Sequence, residues 1–186
     1  LSEYSVNING EHIPVSSGST VFCTSYGHFG IEICEDVWTP IPPSSVPEMQ
    51  DADIIFNLSA SNELVGKNRY RKSLILQQSA RTNCAYVYTS SGVGESTTDM
   101  VFSGTALIAE NGVLLAESVR FSLESELIIA DIDIREIRHN KLVNTNNLSA
   151  DSGNILEIDC DIPQIISNKL FRGINPYPFI PSIDVR

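Results

Sequence analysis

Basic residues are scarce in this 186-residue chain: 12 Lys and Arg stand against 23 Asp and Glu, a formal net charge of −11. So acidic a chain has no field to gather nucleic acid or an anionic membrane surface. No apolar run approaches the ~20 residues of a membrane helix, and no signal-peptide pattern opens the chain. Cysteine is sparse as well. Cys23, Cys34, Cys84 and Cys160 are widely spaced with no C-x-x-C pair, which argues against a disulfide-stapled secreted domain and against a zinc site. His12, His28 and His139 are too scattered for a metal motif, so no metal is expected. Reduced thiols in a cytoplasmic protein are the expectation, and the triplets starting at Asn57 and Asn147 then carry no glycan. Repeats, low-complexity segments and an initiator methionine are also missing; the chain opens on Leu1, and a piece of a longer protein is expected.

What is present is a globular composition, 42% hydrophobic and 19% charged, long enough for one core. Asn9-Gly10 and Asn111-Gly112 sit between apolar-rich runs and predict two hairpins, the second pairing Thr105–Ala109 with Val113–Glu117. Strands are predicted at Asp53–Leu58, Cys84–Ser90 and Leu127–Ile132. A helix is predicted over Asn68–Asn83 around Leu74, Ile75 and Leu76, a short one over Pro43–Gln50, and a helical turn or strand-to-helix exit over Asp131–His139. Asn140–Asn154 reads as a surface loop, Ile155–Cys160 as an edge strand, and the tail from Asn175 to Ser182, with Pro176, Pro178 and Pro181, as an extended linker. Strand, helix, strand and hairpin together make an α/β domain with a mixed sheet.

The chemistry gathers around Cys34. Phe29, Ile31 and Ile33 alternate as in a half-buried strand, which delivers the thiol where the chain must turn. Glu32, Glu35 and Asp36 crowd negative charge around it, so a nucleophile here needs a base and a cation from elsewhere in the fold. A buried structural cysteine is the alternative. His28 cannot be that base: six extended residues span about 20 Å at ~3.3 Å each. Five of the twelve cations (Lys67, Arg69, Arg71, Lys72 and Arg81) lie together with no acid between them. They predict capture of an anionic group such as a substrate carboxylate, pairing with the acids around Cys34, or a solvated face pairing with acids such as Glu63. Asn57–Asn62 and Ser91–Asp99 each follow a strand, and their small polar residues suit either a ligand crevice or a turn. The second is no phosphate loop, because no lysine follows at the required spacing.

Gly30-Ile-Glu-Ile-Cys-Glu-Asp-Val-Trp38, followed by Pro40, Pro42 and Pro43, resembles the cysteine elbow of the nitrilase (carbon–nitrogen hydrolase) superfamily. Asn57–Ser61, Tyr70-Arg71, Gln78–Arg81, Ala85–Tyr88 and Gly94–Asp99 resemble, in order, segments of the glutaminase domains of glutamine-dependent NAD synthetases. The resemblance covers roughly Gly27 to Leu142 and returns at Pro178–Pro181. It implies the C-terminal part of a four-layer αββα sandwich over residues 1–142, lacking its N-terminal portion, with 143–186 leading to a synthetase domain. It implies a Glu-Lys-Cys triad in which Cys34 is the nucleophile, with the glutamate and lysine expected upstream of this elbow. The Glu35 backbone N–H would help hold the oxyanion, and Ser61 and Lys67 match positions that contact glutamine. Lys67 stands where some members carry arginine, and the two bind carboxylates differently. The implied partners are glutamine, the synthetase domain and further copies in a homo-oligomer. ATP and deamido-NAD belong to the synthetase domain, and no cofactor is expected in these residues. The 186 residues alone are expected to be inactive. A stand-alone amidase for another amide, or a non-catalytic interaction piece, are the other readings.

Overall fold

The computed structural model describes residues 4–15, 20–46, 49, 51–144, 156–163, 169–173 and 176. Asn9-Gly10 makes its hairpin, joining β1 (Tyr4–Ile8) to β2 (Glu11–Val15) with both turn residues at positive φ, as a tight two-residue turn requires. The remaining strands form one seven-stranded sheet: β3 (Thr20–Cys23), β4 (His28–Ile33), β5 (Ile54–Ser59), β6 (Ala85–Ser90), β7 (Ala106–Glu110), β8 (Val113–Glu117) and β9 (Leu156–Asp159). Their order is β8-β7-β6-β5-β4-β3-β9. β4, β5 and β6 run parallel, whereas β3 and the β7–β8 hairpin add on antiparallel, giving the expected mixed sheet. The Asn111-Gly112 hairpin lies one residue from its predicted start, and β9 is an edge strand against β3.

Helix α1 (Lys67–Thr82) crosses from β5 to β6 and stops at Asn83, whose left-handed conformation (φ 47°) turns its N–H back onto Ala80 and Ser79. It packs on one sheet face, setting Ile75 over Val21, Ile55, Tyr86, Tyr88 and Leu107. Of its apolar centre only Ile75 is fully buried; the rest of the buried stripe is Arg71, Gln78 and Ser79. Helix α2 (Ile134–Val143) is capped by Asp133, which accepts the Glu136 N–H at 2.9 Å, and is bolted to the start of β5 by Arg138 on the buried Asp53.

Three expectations need correction. The segment 125–133 forms no strand: Leu127 and Ile129 are exposed, and its acids are engaged instead, Asp131 accepting the Arg172 N–H. α2 takes in 140–143, the first part of the predicted loop. Over Pro43–Gln50 the 3-10 turn Pro43–Ser45 ends at Val46, so the predicted helix is not continuous; residues 47, 48 and 50 lie outside the described residues. The rest of the loop to 154, and the tail beyond 173 apart from Pro176, lie outside the described residues. β4 also presents its faces the other way round from a simple amphipathic strand. Gly30 and Glu32 point to the buried, α1-covered face, while Ile31 and Ile33 remain 42% and 56% exposed on the other.

Candidate active site at the end of β4

Beyond Ile33 the chain turns sharply. Cys34 has φ 45°, a left-handed conformation that costs an L-residue about 1–2 kcal/mol and holds only where the surroundings over-determine it. Cys34–Trp38 then forms a 3-10 turn. The Ile33 N–H donates to Asp36 Oδ2 at 2.7 Å, and Val37 is buried as the turn's anchor. A strained strand-to-turn corner of this kind lifts a side chain clear of the sheet's end. Cys34 is partly exposed there, and the exposed Glu35 follows it in the turn.

Two of the three acids that the sequence places beside the thiol are engaged elsewhere. The Glu32 carboxylate lies on the inner face, and Asp36 is engaged by the backbone of its own turn. His28 stays at the opposite end of the unbroken β4, its N–H bonded to Asp53 at 2.8 Å.

Trp38 forms a platform beside the corner. The Lys67 ammonium sits 5.1 Å from its ring centroid and donates to Asn62 Oδ1 at 2.8 Å, and the Tyr70 ring packs 5.6 Å away. Burial lowers the Lys67 pKa and Arg71 adds to that, while Glu63 and, when ionised, the Cys34 thiolate pull it back up. Lys67 is therefore within electrostatic reach of Cys34, on the first turn of α1. Ser61 is nearly buried, and its N–H donates to Ser90 Oγ at 3.2 Å; the Ser91 N–H donates to the Ser59 carbonyl at 3.0 Å. The loops after β5 and β6 are thus tied together, with the corner after β4 beside them, as their shared position predicted. The structure brings Cys34 and Lys67 to one rim, with Ser61 on the loop that leads to Lys67.

Arg71 sorts differently from the other cations. It is fully buried one helical turn below Lys67, donating from Nη1 to Glu63 at 3.1 Å and to Thr105 at 3.0 Å, with its guanidinium 5.9 Å from the Tyr88 ring centroid. Glu63 also takes the Ser103 hydroxyl at 2.6 Å and Arg120 at 3.2 Å. Burial pushes the Glu63 pKa up, but these hydrogen bonds and guanidiniums outweigh burial and hold it below its ordinary value. Its Oε2 is held by Arg71 and Ser103, while Oε1 has only the Arg120 ion pair and no hydrogen bond. In the Gly94–Asp99 loop the Thr97 hydroxyl accepts the Met100 N–H and the Ser96 hydroxyl accepts the Phe102 N–H, which favours the turn-forming reading.

Cys84 is wholly buried, and desolvation pushes its thiol up to about 11; burial and then Glu157 also raise Cys23. Neither lies mid-strand: Cys23 ends β3, and Cys84 precedes β6. Among the described residues no group of three His, Cys, Asp or Glu side chains is placed to hold a metal, and no helix is long and apolar enough to cross a membrane. Asn62, in a crevice-or-turn segment, and Glu63, as a partner for the cations, were within reach of the sequence; the Trp38 platform and the burial of the Glu63–Arg71 pair were not. The one available signal was the i, i+4 spacing of Lys67 and Arg71, which puts both on one side of α1.

A mixed sheet with a cysteine corner at the carboxyl end of a parallel strand places the chain in the α/β class, and the family is more specific. The carbon–nitrogen hydrolase family model matches residues 5–141, and the chain belongs to that family. A glutamine-dependent NAD(+) synthetase from Mycobacterium leprae is 36% identical over 159 residues, 82% of this chain and 23% of that protein. The human glutamine-dependent NAD(+) synthetase is 29% identical over 138 residues, 73% of this chain and 19% of that protein. The chain thus spans less than a quarter of the length of these relatives. Among solved structures, a glutamine-dependent NAD(+) synthetase from Cytophaga hutchinsonii superposes with a TM-score of 0.53 at 28% identity, over 66% of this chain and 19% of that one. A carbon–nitrogen hydrolase from Helicobacter pylori G27 shares the fold, with a TM-score of 0.55 at 20% identity over 73% of this chain and 54% of that one.

Proposed function

We propose that this chain is part of the glutaminase domain of a glutamine-dependent NAD synthetase, with Cys34 as its nucleophile. The thiolate sulfur bonds to the side-chain carbonyl carbon of glutamine. As the tetrahedral adduct collapses, the C–N bond breaks and the nitrogen leaves, protonated, as ammonia. Water then cleaves the thioester to glutamate and the free thiol. The Glu35 backbone N–H contributes to the oxyanion site. Lys67, backed by Asn62 and Trp38, receives the substrate carboxylate beside Ser61. A base and a further lysine come from other parts of the intact protein, so these residues alone do not turn over. Ammonia passes to a synthetase domain of the same chain for ATP-dependent amidation of deamido-NAD, in a cytoplasmic homo-oligomer.

The observation that carries this reading is the left-handed Cys34 at the end of β4 with the Lys67 ammonium in electrostatic reach of it. Cys34→Ala in the full-length protein tests it. Glutamine-dependent NAD formation is expected to fall by at least a thousandfold, while formation from free ammonia persists. Loss of both activities together would make Cys34 structural and sink the proposal.

A further inference from the structure

Two residues before Cys34, on the buried face of β4, Glu32 is completely shielded from solvent. Both of its oxygens are in use. Oε1 accepts the Ser44 N–H at 2.6 Å, and Oε2 accepts the Tyr86 hydroxyl. The polarity of the chain behind Tyr86 is set all the way back. Ser59 donates its hydroxyl to Asn57 Oδ1 at 2.7 Å, and Asn57 donates from Nδ2 to the Tyr86 oxygen at 3.2 Å. Asn57 thereby occupies a lone pair of the phenol and aims its proton at Glu32. Burial, and then the neighbouring carboxylate, raise the Tyr86 pKa far above its ordinary value, so the phenol stays a donor.

Ser44 is held from the other side as well. Gln78 of α1 donates from Nε2 to Ser44 Oγ at 2.8 Å and to Ser45 Oγ at 2.7 Å. The single Glu32–Ser44 bond, between residues 12 apart in sequence, therefore closes a loop containing Cys34, Glu35 and Trp38. That loop carries the nucleophile, the proposed oxyanion donor and the platform under Lys67. It also carries the left-handed φ of Cys34, a conformation the surroundings must enforce.

We infer that Glu32, oriented by Tyr86 and Asn57, is a positioning residue that fixes the Cys34 corner for attack. The inference rests on the glutaminase reading for its reaction, though not for its geometry. Glu32→Gln is nearly isosteric. It keeps an acceptor for Ser44 but turns the other oxygen into an amide donor facing the Tyr86 donor. Adding Asn57→Asp reverses the polarity of the chain. The introduced amide then donates to the Tyr86 oxygen and the Tyr86 hydroxyl donates to the introduced carboxylate, with the buried charge moved across the phenol rather than lost.

In the full-length protein, E32Q is expected to lower kcat for glutamine-dependent synthesis at least fivefold. KM for glutamine should stay within twofold, and so should synthesis from ammonia. E32Q/N57D is expected to recover kcat to within threefold of the parent. A fall in kcat of less than fivefold would overturn the inference, as would a loss confined to KM, an equal loss with ammonia, or no recovery in the double variant. If the parent protein shows no glutamine-dependent activity, the glutaminase reading fails, and the iodoacetamide alkylation rate of Cys34 becomes the test. That rate is expected to drop at least fivefold in E32Q and return in E32Q/N57D; unchanged alkylation would overturn the positioning role.

Discussion

The side of the sheet under α1 buries Glu32, Asn57, Tyr86, Tyr88, Arg71 and Gln78, while the opposite side leaves Ile31, Ile33 and Leu58 with roughly half their surface in water. In an ordinary amphipathic sheet the assignment would be the reverse. Polar groups on the covered side are tolerable because most of them are paired: Glu32 with Ser44 and Tyr86, Arg71 with Glu63 and Thr105, Gln78 with two serines. The pairs converge on the three loops at the carboxyl ends of β4, β5 and β6, where the candidate site lies. The open side has no comparable network among the described residues. Its continuous apolar surface is of the kind that packs against another layer, as the sheet faces of an αββα sandwich do. The covered side thus carries the polar network beside the site, and the open side carries the exposed apolar residues.

The contrast breaks most readily at Arg71. Arg71→Met strands the Glu63 carboxylate, nearly buried, with only Arg120 and Ser103 to compensate. Removing one partner of a buried pair typically costs about 3–5 kcal/mol, and the remaining partners place this case near the lower figure. In the intact protein, hydrogen exchange should show the amides of β6 and β7 losing about 3 kcal/mol of protection. Replacing both partners, as in Arg71→Met with Glu63→Leu, should restore most of it. A loss below about 1 kcal/mol for the single variant would mean that the covered face does not depend on its polar pairs.

Next in size is Lys67, at the rim where that network meets the site. A charge-assisted hydrogen bond to a substrate carboxylate is worth about 1.5–3 kcal/mol, so Lys67→Ala in the full-length protein should raise the glutamine KM roughly tenfold or more. Because Lys67 also rests on Trp38 and Asn62, Lys67→Arg should retain part of the affinity. An unchanged KM would return Lys67 to the solvated face that is the alternative reading.

Local signals are legible in the sequence where they depend on short-range chemistry. Asn-Gly turns require positive φ at both residues, and Asn9-Gly10 and Asn111-Gly112 have it. The strand around Ile55 and the helix ending at Asn83 follow from apolar runs and a left-handed stop. Errors arise wherever a tertiary partner decides the outcome. Leu127–Ile132 has strand propensity but no neighbouring strand among the described residues to pair with, and without a ladder the propensity is idle. Phe29, Ile31 and Ile33 alternate correctly, yet periodicity cannot say which face is covered, and here Glu32 goes inward because Tyr86 and Ser44 wait for it. The cationic cluster is visible as a group, but sorting buried Arg71 from Lys67 at the rim needs the position of Glu63. The corner at Cys34 is legible from one local pattern, and its supports from Asn57, Gln78 and Tyr86 are not, since their partners lie 29 to 54 residues away.

The smallest effect belongs to the open side, and its smallness is the point. Ile31 is 42% exposed in the centre of the sheet. Fully burying an isoleucine contributes about 1.5–3 kcal/mol, so a side chain with nearly half its surface in water has less to lose. Threonine keeps the β-branch that suits a strand, which limits the change to the missing apolar contact. Ile31→Thr should therefore cost at most about 1 kcal/mol in urea denaturation of the 186-residue chain. In the full-length protein, if a second layer covers this face, the same substitution also places a hydroxyl in an apolar interface. Its cost should then rise to about 2 kcal/mol or more, read as hydrogen-exchange protection of β4. Equal small costs in both settings would show that the face stays open in the intact protein. A cost above about 2 kcal/mol in the short chain would show that it is already packed there, and the contrast between the two sides would fall.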